Sequence, residues 1–543
     1  MKIALAAFRG ELPIVDPRLL PEQNATSSRN LTLKHGTLKP QNALGTVAGL
    51  PLMVSPSSLF LYPEGNNGKG FWFAWGNNKI VHAVKSPLAD DDWHRVYWTG
   101  DGPPKMGDLS MVTQGSGPYP SASLRLGVPS PNGGTFVSTP NDRVGSDQYP
   151  LTAVQAVYVT TLVSRFGEEG PPSDPSDPVL RWDMVSNAPA GGGVQVNLPN
   201  LPAGAHNITT KRLYRAEAGT YMLVAELPAA IGSYFDVVPS ASLSVALESL
   251  EWDMPDDRMV GLTSLPGGFL AGHFENTLCF SESYRPHAWP VSYQLAFSDD
   301  IMGVVSTTAG LVVATRGRPH LVTGSSPAAM ADMVLDVDQP CVSRRSLVDM
   351  GDFAIYASHS GLVAVGGREA EVITAQAMSR EQWQALNPAS IHAYRYDGRY
   401  IAFYLVGGIY GAFAFTPADG FEFYDLMASG GYYDLLNDRL CMISERVVKA
   451  WGAGLPMSMI WRSKTFEFPP GGSFTCAKVI ARSYPVEFRL LAEGEVVAMM
   501  QIEDRQLFRL PAGYAHVREW AVEVRGTNEV FSVQVATSPS ELM

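Results

Sequence analysis

The sequence predicts an all-β protein, in which a β-propeller of about six blade-like units carries an inserted fibronectin III/Ig-like β-sandwich and a C-terminal strand-rich cap. Three observations support this prediction. The 51 glycines and 40 prolines are scattered as turn residues without a collagen-like period, and aromatic residues make up 10% of the chain. Apolar hairpins recur at a regular spacing after residue 255. A chain of 543 residues also exceeds one ordinary domain, which has about 100–200 residues.

The repeat is defined by the turn that opens each apolar hairpin. The openings are Gly267–Ala271, Ala309–Val313, Gly351–Ile355, Asp397–Ile401 and Asn437–Cys441. Between the turn residues Gly268, Gly310, Asp352, Gly398 and Asp438 the steps are 42, 42, 46 and 40 residues. Four-stranded propeller blades need about 40–50 residues each, so this spacing favours a propeller over an unrelated run of hairpins in sandwiches. The segment from Lys69 to Val84 has the same pattern and predicts an earlier unit of this kind.

Changes in pattern along the chain predict five regions. Residues 150–250 contain short alternating segments with turns about every ten residues, which is typical of an immunoglobulin or fibronectin III sandwich. Paired cysteines are lacking there, which favours the fibronectin-like variant. The predicted regions are an extended N-terminal leader at 1–48, a first propeller part at 49–149, the inserted sandwich at 150–250, the main propeller at 251–465 and a C-terminal β-rich segment at 466–543.

Helices are expected to be scarce, and the best candidate is Ala377–Leu386, which ends before Asn387-Pro388. The apolar stretch Tyr400–Phe415 is interrupted by glycines at 407, 408 and 411. We therefore interpret it as two strands around a glycine turn, and we expect no membrane span.

The four cysteines, Cys279, Cys341, Cys441 and Cys476, are widely spaced and form no CxxC pair. This pattern predicts reduced thiols that act as small buried hydrophobic side chains. The apolar run after Lys2 is too short for a signal-peptide core, because Arg9 and Glu11 interrupt it. We therefore expect a protein that is made and folded in a cytoplasm.

The charge and the motif content argue against several classes of function. The net charge of −13 is unfavourable for binding nucleic acid through its phosphates, because such binding relies on an excess of basic side chains. Nucleotide-binding, zinc-protease and serine-hydrolase motifs are missing, so we predict a non-enzymatic protein with no catalytic residues, cofactor or metal. The run from Asp90 to Asp92 is interpreted as an exposed acidic turn in preference to a cation site.

Three segments carry a resemblance to virion proteins of tailed bacteriophages. They are Leu278–Pro290, Ser164–Ser173 and Asn207–Arg215. Together with the architecture, they resemble the tail nozzle or hub proteins of short-tailed phages, the tail tubular protein B and DNA-stabilisation hub families. The resemblance covers about residues 150 to 450, and it transfers no catalytic residue.

The resemblance implies a homo-oligomeric ring, commonly a hexamer, in the virion tail. Such a ring continues the DNA ejection channel below the portal and adaptor proteins, next to tail fibres or a spike, and is assembled in the host cytoplasm. DNA would pass through the lumen without specific binding, because an acidic wall repels phosphates. The candidate channel-facing acidic loops contain Asp253, Asp256, Asp257, Asp299 and Asp300.

Two alternatives remain open at the level of sequence. A host-receptor or glycan-binding tail protein is suggested by the aromatic side chains of Trp72, Trp75, Trp93 and Trp98, although packing between strands explains them more simply. A propeller glycosidase would need paired carboxylates or an arginine cluster, for which Arg316, Arg318, Arg344 and Arg345 are available.

Overall fold

Short antiparallel strands dominate the computed structural model of the protein, which describes residues 1–50, 55–138, 151–184, 193–204, 207–511 and 513–542. The predicted all-β class is therefore confirmed. The described strands before residue 140 are β1 Lys2–Leu5, β2 Ala25–Arg29, β3 Leu31–Thr32, β4 Lys39–Pro40, β5 Gly45–Gly49, β6 Ser58–Tyr62, β7 Phe71–Trp75, β8 His82–Lys85, β9 Val96–Thr99, β10 Lys105–Gly107, β11 Leu124–Arg125 and β12 Phe136–Ser138.

The strands of the central part of the chain follow in the same numbering. They are β13 Leu151–Ala156, β14 Tyr158–Ser164, β15 Val179–Met184, β16 Val194–Asn197, β17 Ile208–Glu217, β18 Thr220–Pro228, β19 Ser233–Asp236, β20 Val260–Leu265, β21 Phe269–Phe274, β22 Thr277–Phe280, β23 Gln294–Ala296, β24 Ile301–Thr307, β25 Gly310–Thr315, β26 His320–Thr323, β27 Ala331–Val334, β28 Val348–Asp349, β29 Phe353–Ala357, β30 Leu362–Gly366 and β31 Glu369–Val372.

The remaining strands extend to the C-terminal region. They are β32 His392–Tyr396, β33 Arg399–Val406, β34 Ile409–Thr416, β35 Gly420–Tyr424, β36 Gly430–Asp434, β37 Arg439–Ser444, β38 Val447–Ala450, β39 Met459–Ser463, β40 Phe466–Glu467, β41 Cys476–Ala481, β42 Val486–Ala492, β43 Glu495–Ile502, β44 Phe508–Arg509, β45 Glu519–Gly526 and β46 Val530–Ala536. Helical elements are short: α1 Leu109–Val112, α2 Arg380–Ala385, and single 3₁₀ turns at Asn66–Gly68, Ser240–Ser242, Ser249–Glu251, Val291–Tyr293, Pro327–Ala329, Arg344–Ser346, Pro388–Ser390 and Pro539–Glu541.

The chain divides into two compact units, each described below by itself. Unit 1 comprises Met1–Ile80, Ser298–Thr323 and Asp332–Met543, and unit 2 comprises Val81–Phe297 and Gly324–Ala331. The region boundaries expected from the sequence stay predictions, and the one at 149–150 lies outside the described residues.

The predicted repeat corresponds to five consecutive groups of four strands: β20 to β23, β24 to β27, β28 to β31, β32 to β35, and β36 to β38 with β5. Four of these groups are separate sheets, and β32 to β35 form one end of a larger sheet that continues through β2. Each predicted turn lies between the first and second strand of its sheet. Positive φ angles at Gly268, Gly398 and Asp438 explain why glycine and aspartate recur there, since these residues tolerate the left-handed region better than most. The hairpin repeat is therefore confirmed.

In unit 1 the first strands of consecutive sheets pack side by side. β24 contacts β28, β28 contacts β32, β32 contacts β36, and β36 contacts β6. The sheet of β36 to β38 is completed from the N-terminal region, because β5 pairs with β38 from Gly45 opposite Ala450 to Gly49 opposite Val447. Residues far apart in the sequence therefore share one sheet.

The earlier blade-like unit predicted at Lys69–Val84 is wrong in its boundaries. β7 pairs back with β6 in a two-stranded sheet of unit 1. β8 instead begins a separate sheet in unit 2, in the order β11, β10, β9, β8. The two apolar runs looked like one hairpin because only a short polar turn separates them.

The first strands of two sheets also pack together in unit 2, where β8 contacts β20. A shared core that contains Tyr97, Met259, Leu270 and Trp289 lies between their sheets. The segment predicted as a sandwich forms the sheets β12–β16–β19, β14–β17–β18 and β13–β15. Its buried core includes Tyr158, Val194 and Leu213. The fibronectin III assignment of this region stays a prediction.

The N-terminal leader is integrated into unit 1 by strand pairing. β1 pairs with β46, and β2 lies between β35 and β39 in a larger sheet that continues through β45, β42 and β43. Buried side chains of β1, β41 and β46 form one apolar cluster with those of β39, β42 and β45, including Ile3, Trp461 and Phe488. The leader therefore connects the repeat sheets of unit 1 with its C-terminal strands.

Helix α2 lies inside the range predicted for a helix, and its first turn is fixed by a capping box. The Ser379 hydroxyl accepts from the Gln382 backbone N–H, and the Gln382 side chain accepts from the Ser379 N–H. The fully buried Trp383 anchors the helix, and its indole N–H donates a hydrogen bond to the Ser358 carbonyl at 2.9 Å.

The expected glycine turn inside Tyr400–Phe415 is also confirmed, since Gly407 and Gly408 separate β33 from β34.

Replacing the capping residue should destabilise unit 1 slightly. Ser379→Ala removes the acceptor for the Gln382 N–H, so we expect a loss of about 1 kcal/mol in the free energy of unfolding. Urea denaturation measures this loss. Arg380→Ala, at the next position of the helix, is the control and should change stability by less than about 0.5 kcal/mol. Equal effects in both variants would contradict the role of the capping box.

Candidate functional site

Three of the acidic candidates lie in unit 2, and two of these pair with arginines. Asp256 receives a 2.9 Å hydrogen bond from Nη2 of Arg258, and the hydrogen bonds from Arg258 lower the pKa of Asp256. Asp257 forms an ion pair with Arg125. The pKa of Asp253 is raised by burial and by nearby Glu251.

The other two acidic candidates lie in unit 1. Asp300 lies 3.8 Å from Nε of Arg316, in an exposed ion pair. The Asp299 carboxylate accepts a hydrogen bond from the Ser298 hydroxyl at 3.0 Å. It also lies so close to Gly317 that a Cβ on residue 317 would collide with it. The five candidates are therefore divided between two units, and arginines neutralise three of them locally.

A buried ionic cluster in unit 2 brings together residues of the segments Ser164–Ser173 and Leu278–Pro290. Arg95 donates from Nη1 to Oε1 of Glu168 at 2.5 Å, and its Nε lies 3.0 Å from Oδ2 of Asp91. His287 lies 3.7 Å from the same Glu168 oxygen. The side chains of Arg95, Asp91 and Glu168 are each only 6% exposed. We call Asp91, Arg95, Glu168 and His287 the ionic cluster.

Burial determines the protonation behaviour of the ionic cluster. Burial raises the pKa of Glu168, although Arg95 opposes this shift. Burial, together with Arg285 and Arg95, lowers the pKa of His287 to about 3, so this imidazole is neutral near pH 7. Burial would raise the pKa of Asp91, but the hydrogen bonds from Arg95 outweigh it and lower that pKa. The expectation that the turn from Asp90 to Asp92 is wholly exposed is therefore wrong for Asp91.

The segment Asn207–Arg215, most of which lies on β17, contains a second buried network. Arg215 donates from Nη1 to Oδ2 of Asp236 at 2.5 Å, and the Tyr158 hydroxyl donates to the same oxygen at 2.7 Å. Next to it on β17, Arg212 pairs with Glu169 at 2.7 Å. Buried charges of this kind are stable only when they are paired. These contacts therefore link β14 and β17 to β19, and β17 to the loop at 164–170.

The arginines considered for a glycosidase do not converge on one site. Arg316 pairs with Asp300, and Arg318 pairs with Asp338 at 2.6 Å. Nε of Arg344 donates to the Met302 carbonyl at 2.9 Å. Arg345 donates to the carbonyls of Ser57 and Ser429, at 3.0 and 2.6 Å. Each guanidinium is thus engaged in local structure.

The four candidate tryptophans are mostly packed. Trp75 and Trp98 are buried, and Trp72 packs edge-on against Tyr432 with the ring centroids 6.4 Å apart. Trp93 is partly exposed, but it packs against Phe166 and lies under the guanidinium of Arg165. These contacts support the simpler interpretation that the aromatic residues pack between strands.

The four cysteines are free and buried, as expected. Burial raises the pKa of Cys279 and Cys341 to about 12, so these thiols are protonated at neutral pH. Within the described residues, no three histidine, cysteine, aspartate or glutamate side chains come together in a way that could hold a metal ion. None of the helices in that part of the chain combines the length and the apolar character needed to cross a membrane.

A cavity of about 650 Å³ in unit 1 was not predicted from the sequence. The strands β28 and β32 line it, together with the turns that follow β32 and β36. Its polar and aromatic wall contains Asp349, Arg395, Tyr396, Asp397 and Tyr433. We call this cavity the turn pocket. The sequence could not have indicated this cavity, because it does not show which strands and turns become neighbours.

Comparisons with known proteins assign no family. No known family matches the sequence, and no curated protein is similar to it. Among the solved structures that match at low identity are the following three. BBS1N in complex with ARL6DN is 12% identical with a TM-score of 0.24, over 59% of this chain and 87% of that chain. Another is PorZ, an essential bacterial surface component of the type-IX secretion system of Porphyromonas gingivalis. It is 9% identical with a TM-score of 0.25, over 62% of this chain and 52% of that chain.

The third is a glycoside hydrolase family 43 arabinoxylan arabinofuranohydrolase from Bacillus subtilis. It is 9% identical with a TM-score of 0.15, over 65% of this chain and 94% of that chain. TM-scores this low support no conclusion about fold or function.

Proposed function

We propose that this protein is a structural component of the tail of a short-tailed bacteriophage, a nozzle or hub protein that forms a homo-oligomeric ring, commonly a hexamer. The ring would continue the DNA ejection channel below the portal and adaptor proteins. It would also contact tail fibres or a spike. DNA would pass through its lumen without specific binding, in a particle assembled in the host cytoplasm.

The observation that carries this proposal is the packing of consecutive sheets in unit 1 through their first strands. Sheets that pack in this order, with β5 completing the sheet of β36 to β38, support our proposal of a propeller of about six blades. Such a protomer has few free strand edges and is therefore protected from unwanted strand pairing. Its ring contacts would come from loops and from the inserted sandwich, which we assign to the fibronectin III type.

The charge supports a passive channel. The net charge of −13 disfavours adhesion of DNA, and the buried ion pairs of unit 2 serve the fold. The acidic candidates contribute less to a negative surface than their sequence suggests, because Asp256, Asp257 and Asp300 have arginine partners. Asp253 and Asp299 are the better candidates for a channel-facing carboxylate.

Electron microscopy of the purified full-length protein tests the proposal. We expect closed rings with an axial opening wide enough for duplex DNA, and native mass spectrometry should give one defined copy number. Rings are expected to retain no duplex DNA at physiological salt in a mobility-shift assay. A monomer at all concentrations and in virions, or a particle without an axial opening, would contradict the proposal.

A further inference from the structure

The turn pocket lies where the ends and following turns of the first strands of three consecutive sheets come together. Asp349 ends β28, Asp397 occupies the turn after β32, and Asp438 occupies the turn after β36. The volume of about 650 Å³ falls within the range of about 300–1,000 Å³ typical of small-molecule sites. The packing of β28, β32 and β36 side by side therefore brings these three carboxylates to one cavity, although they occupy different positions in their repeats.

Two tyrosines form an aromatic wall of the turn pocket. The rings of Tyr396 and Tyr433 are 6.2 Å apart at 60°, and Tyr433 is 36% exposed. The Tyr433 hydroxyl donates to Oδ1 of Asp438 at 2.7 Å, which fixes the direction of its ring. A tyrosine offers a ligand both an apolar ring face and a polar hydroxyl.

The remaining polar groups supply both hydrogen-bond acceptors and donors. Oδ1 of Asp349 accepts from the Gly351 N–H at 2.7 Å, and Oδ1 of Asp397 accepts from Nζ of Lys34 at 2.6 Å. The second oxygen of each carboxylate remains available as an acceptor. The exposed Arg395 lies against Gly351 and pairs with no carboxylate in the described part of the chain, so its guanidinium supplies donors.

This combination determines the chemistry of the ligand. The three aspartates disfavour an anion, while Arg395 and Lys34, which pairs with Asp397, offset two of the three negative charges and so leave little attraction for a cation. Vicinal hydroxyl groups donate and accept together without carrying charge, so they satisfy both kinds of partner. The C–H face of a sugar ring also fits the exposed ring of Tyr433. We propose that the turn pocket binds a short neutral saccharide.

A glycan array of neutral, acidic and basic saccharides, followed by calorimetry with each saccharide that binds, tests this proposal on the full-length protein. We expect binding of neutral saccharides only. Tyr433→Ala and Arg395→Gln should each weaken it on the order of tenfold or more. Tyr433→Phe keeps the ring and should retain most of the affinity. Tyr410→Ala, at a tyrosine outside the pocket that is 48% exposed, is the matched control and should bind normally.

Several outcomes would overturn the proposal. These are no binding of any neutral saccharide at millimolar concentration, unchanged binding in Tyr433→Ala with native thermal stability, or preferential binding of polylysine, the probe for a cationic peptide. Ring formation by the same samples, observed by electron microscopy, is independent of these results. Failure of saccharide binding therefore differs experimentally from failure of the proposed function.

Discussion

The Arg95→Ala variant is expected to lose about 3–5 kcal/mol of stability in unit 2, because it leaves buried carboxylates without their cation. Asp91 and Glu168 are each 6% exposed, and Arg95 is the arginine that pairs with both. Hydrogen–deuterium exchange measures the effect locally, in β9 and in the loop at 164–170. We expect both segments to exchange faster than in the wild type.

Two further variants separate electrostatics from packing. Adding Glu168→Gln to Arg95→Ala replaces one of the buried carboxylates that lost its arginine partner with a neutral amide. The double variant should therefore recover part of the lost stability. Arg258→Ala, which breaks the exposed pairs with Asp256 and Glu275, is the control and should leave exchange in β9 and in the loop at 164–170 unchanged. If the double variant were less stable than Arg95→Ala, unpaired charge would not be the cause.

The second large effect concerns Glu11 in the leader, whose pKa is raised from 4.5 to about 7. Burial causes this rise, against a hydrogen bond from the Ser28 N–H and the charge of Arg29. Between pH 4.5 and 7 the folded state therefore binds more protons than the unfolded state, so stability falls as the pH rises. Over this pH range the free energy of unfolding should fall by at most about 3 kcal/mol, and we expect Glu11→Gln to remove this fall.

Urea denaturation of wild type and Glu11→Gln at about pH 4.5 and about pH 8 checks this prediction. The glutamine keeps an oxygen that can accept from the Ser28 N–H, so the two proteins should be equally stable at the lower pH. The variant should be more stable at the higher pH. Glu22→Gln, an exposed glutamate of the same leader, controls for the loss of one carboxylate. A variant that is less stable than wild type at about pH 8 would refute the explanation.

The repeat could be predicted because its turns depend on residues with special backbone conformations. Gly268, Gly398 and Asp438 adopt positive φ angles, which restrict the choice of residue and leave a visible period in the sequence. Apolar alternation on either side then specifies the hairpins. For the same reason, the glycine turn between β33 and β34 was predictable.

Long-range pairing could not be predicted in the same way. Across the short turn between Trp75 and His82 the chain passes from one sheet to another, because β7 pairs with β6 and β8 pairs with β9. Nothing in the sequence of the turn indicates this change. The ionic cluster was also missed, because Arg95, Glu168 and His287 are far apart in sequence and charged residues are usually exposed. The turn pocket depends on which turns become neighbours, and a sequence period alone does not specify this.

The pairing of β5 with β38 also has a consequence for how the polypeptide matures on the ribosome. About 400 residues separate these strands. At a synthesis rate of roughly 5–20 residues per second, β5 waits for tens of seconds before its partner emerges. During that interval its backbone groups are open to incorrect pairing with other nascent chains. Slower translation or depletion of chaperones should therefore increase the insoluble fraction of newly made protein.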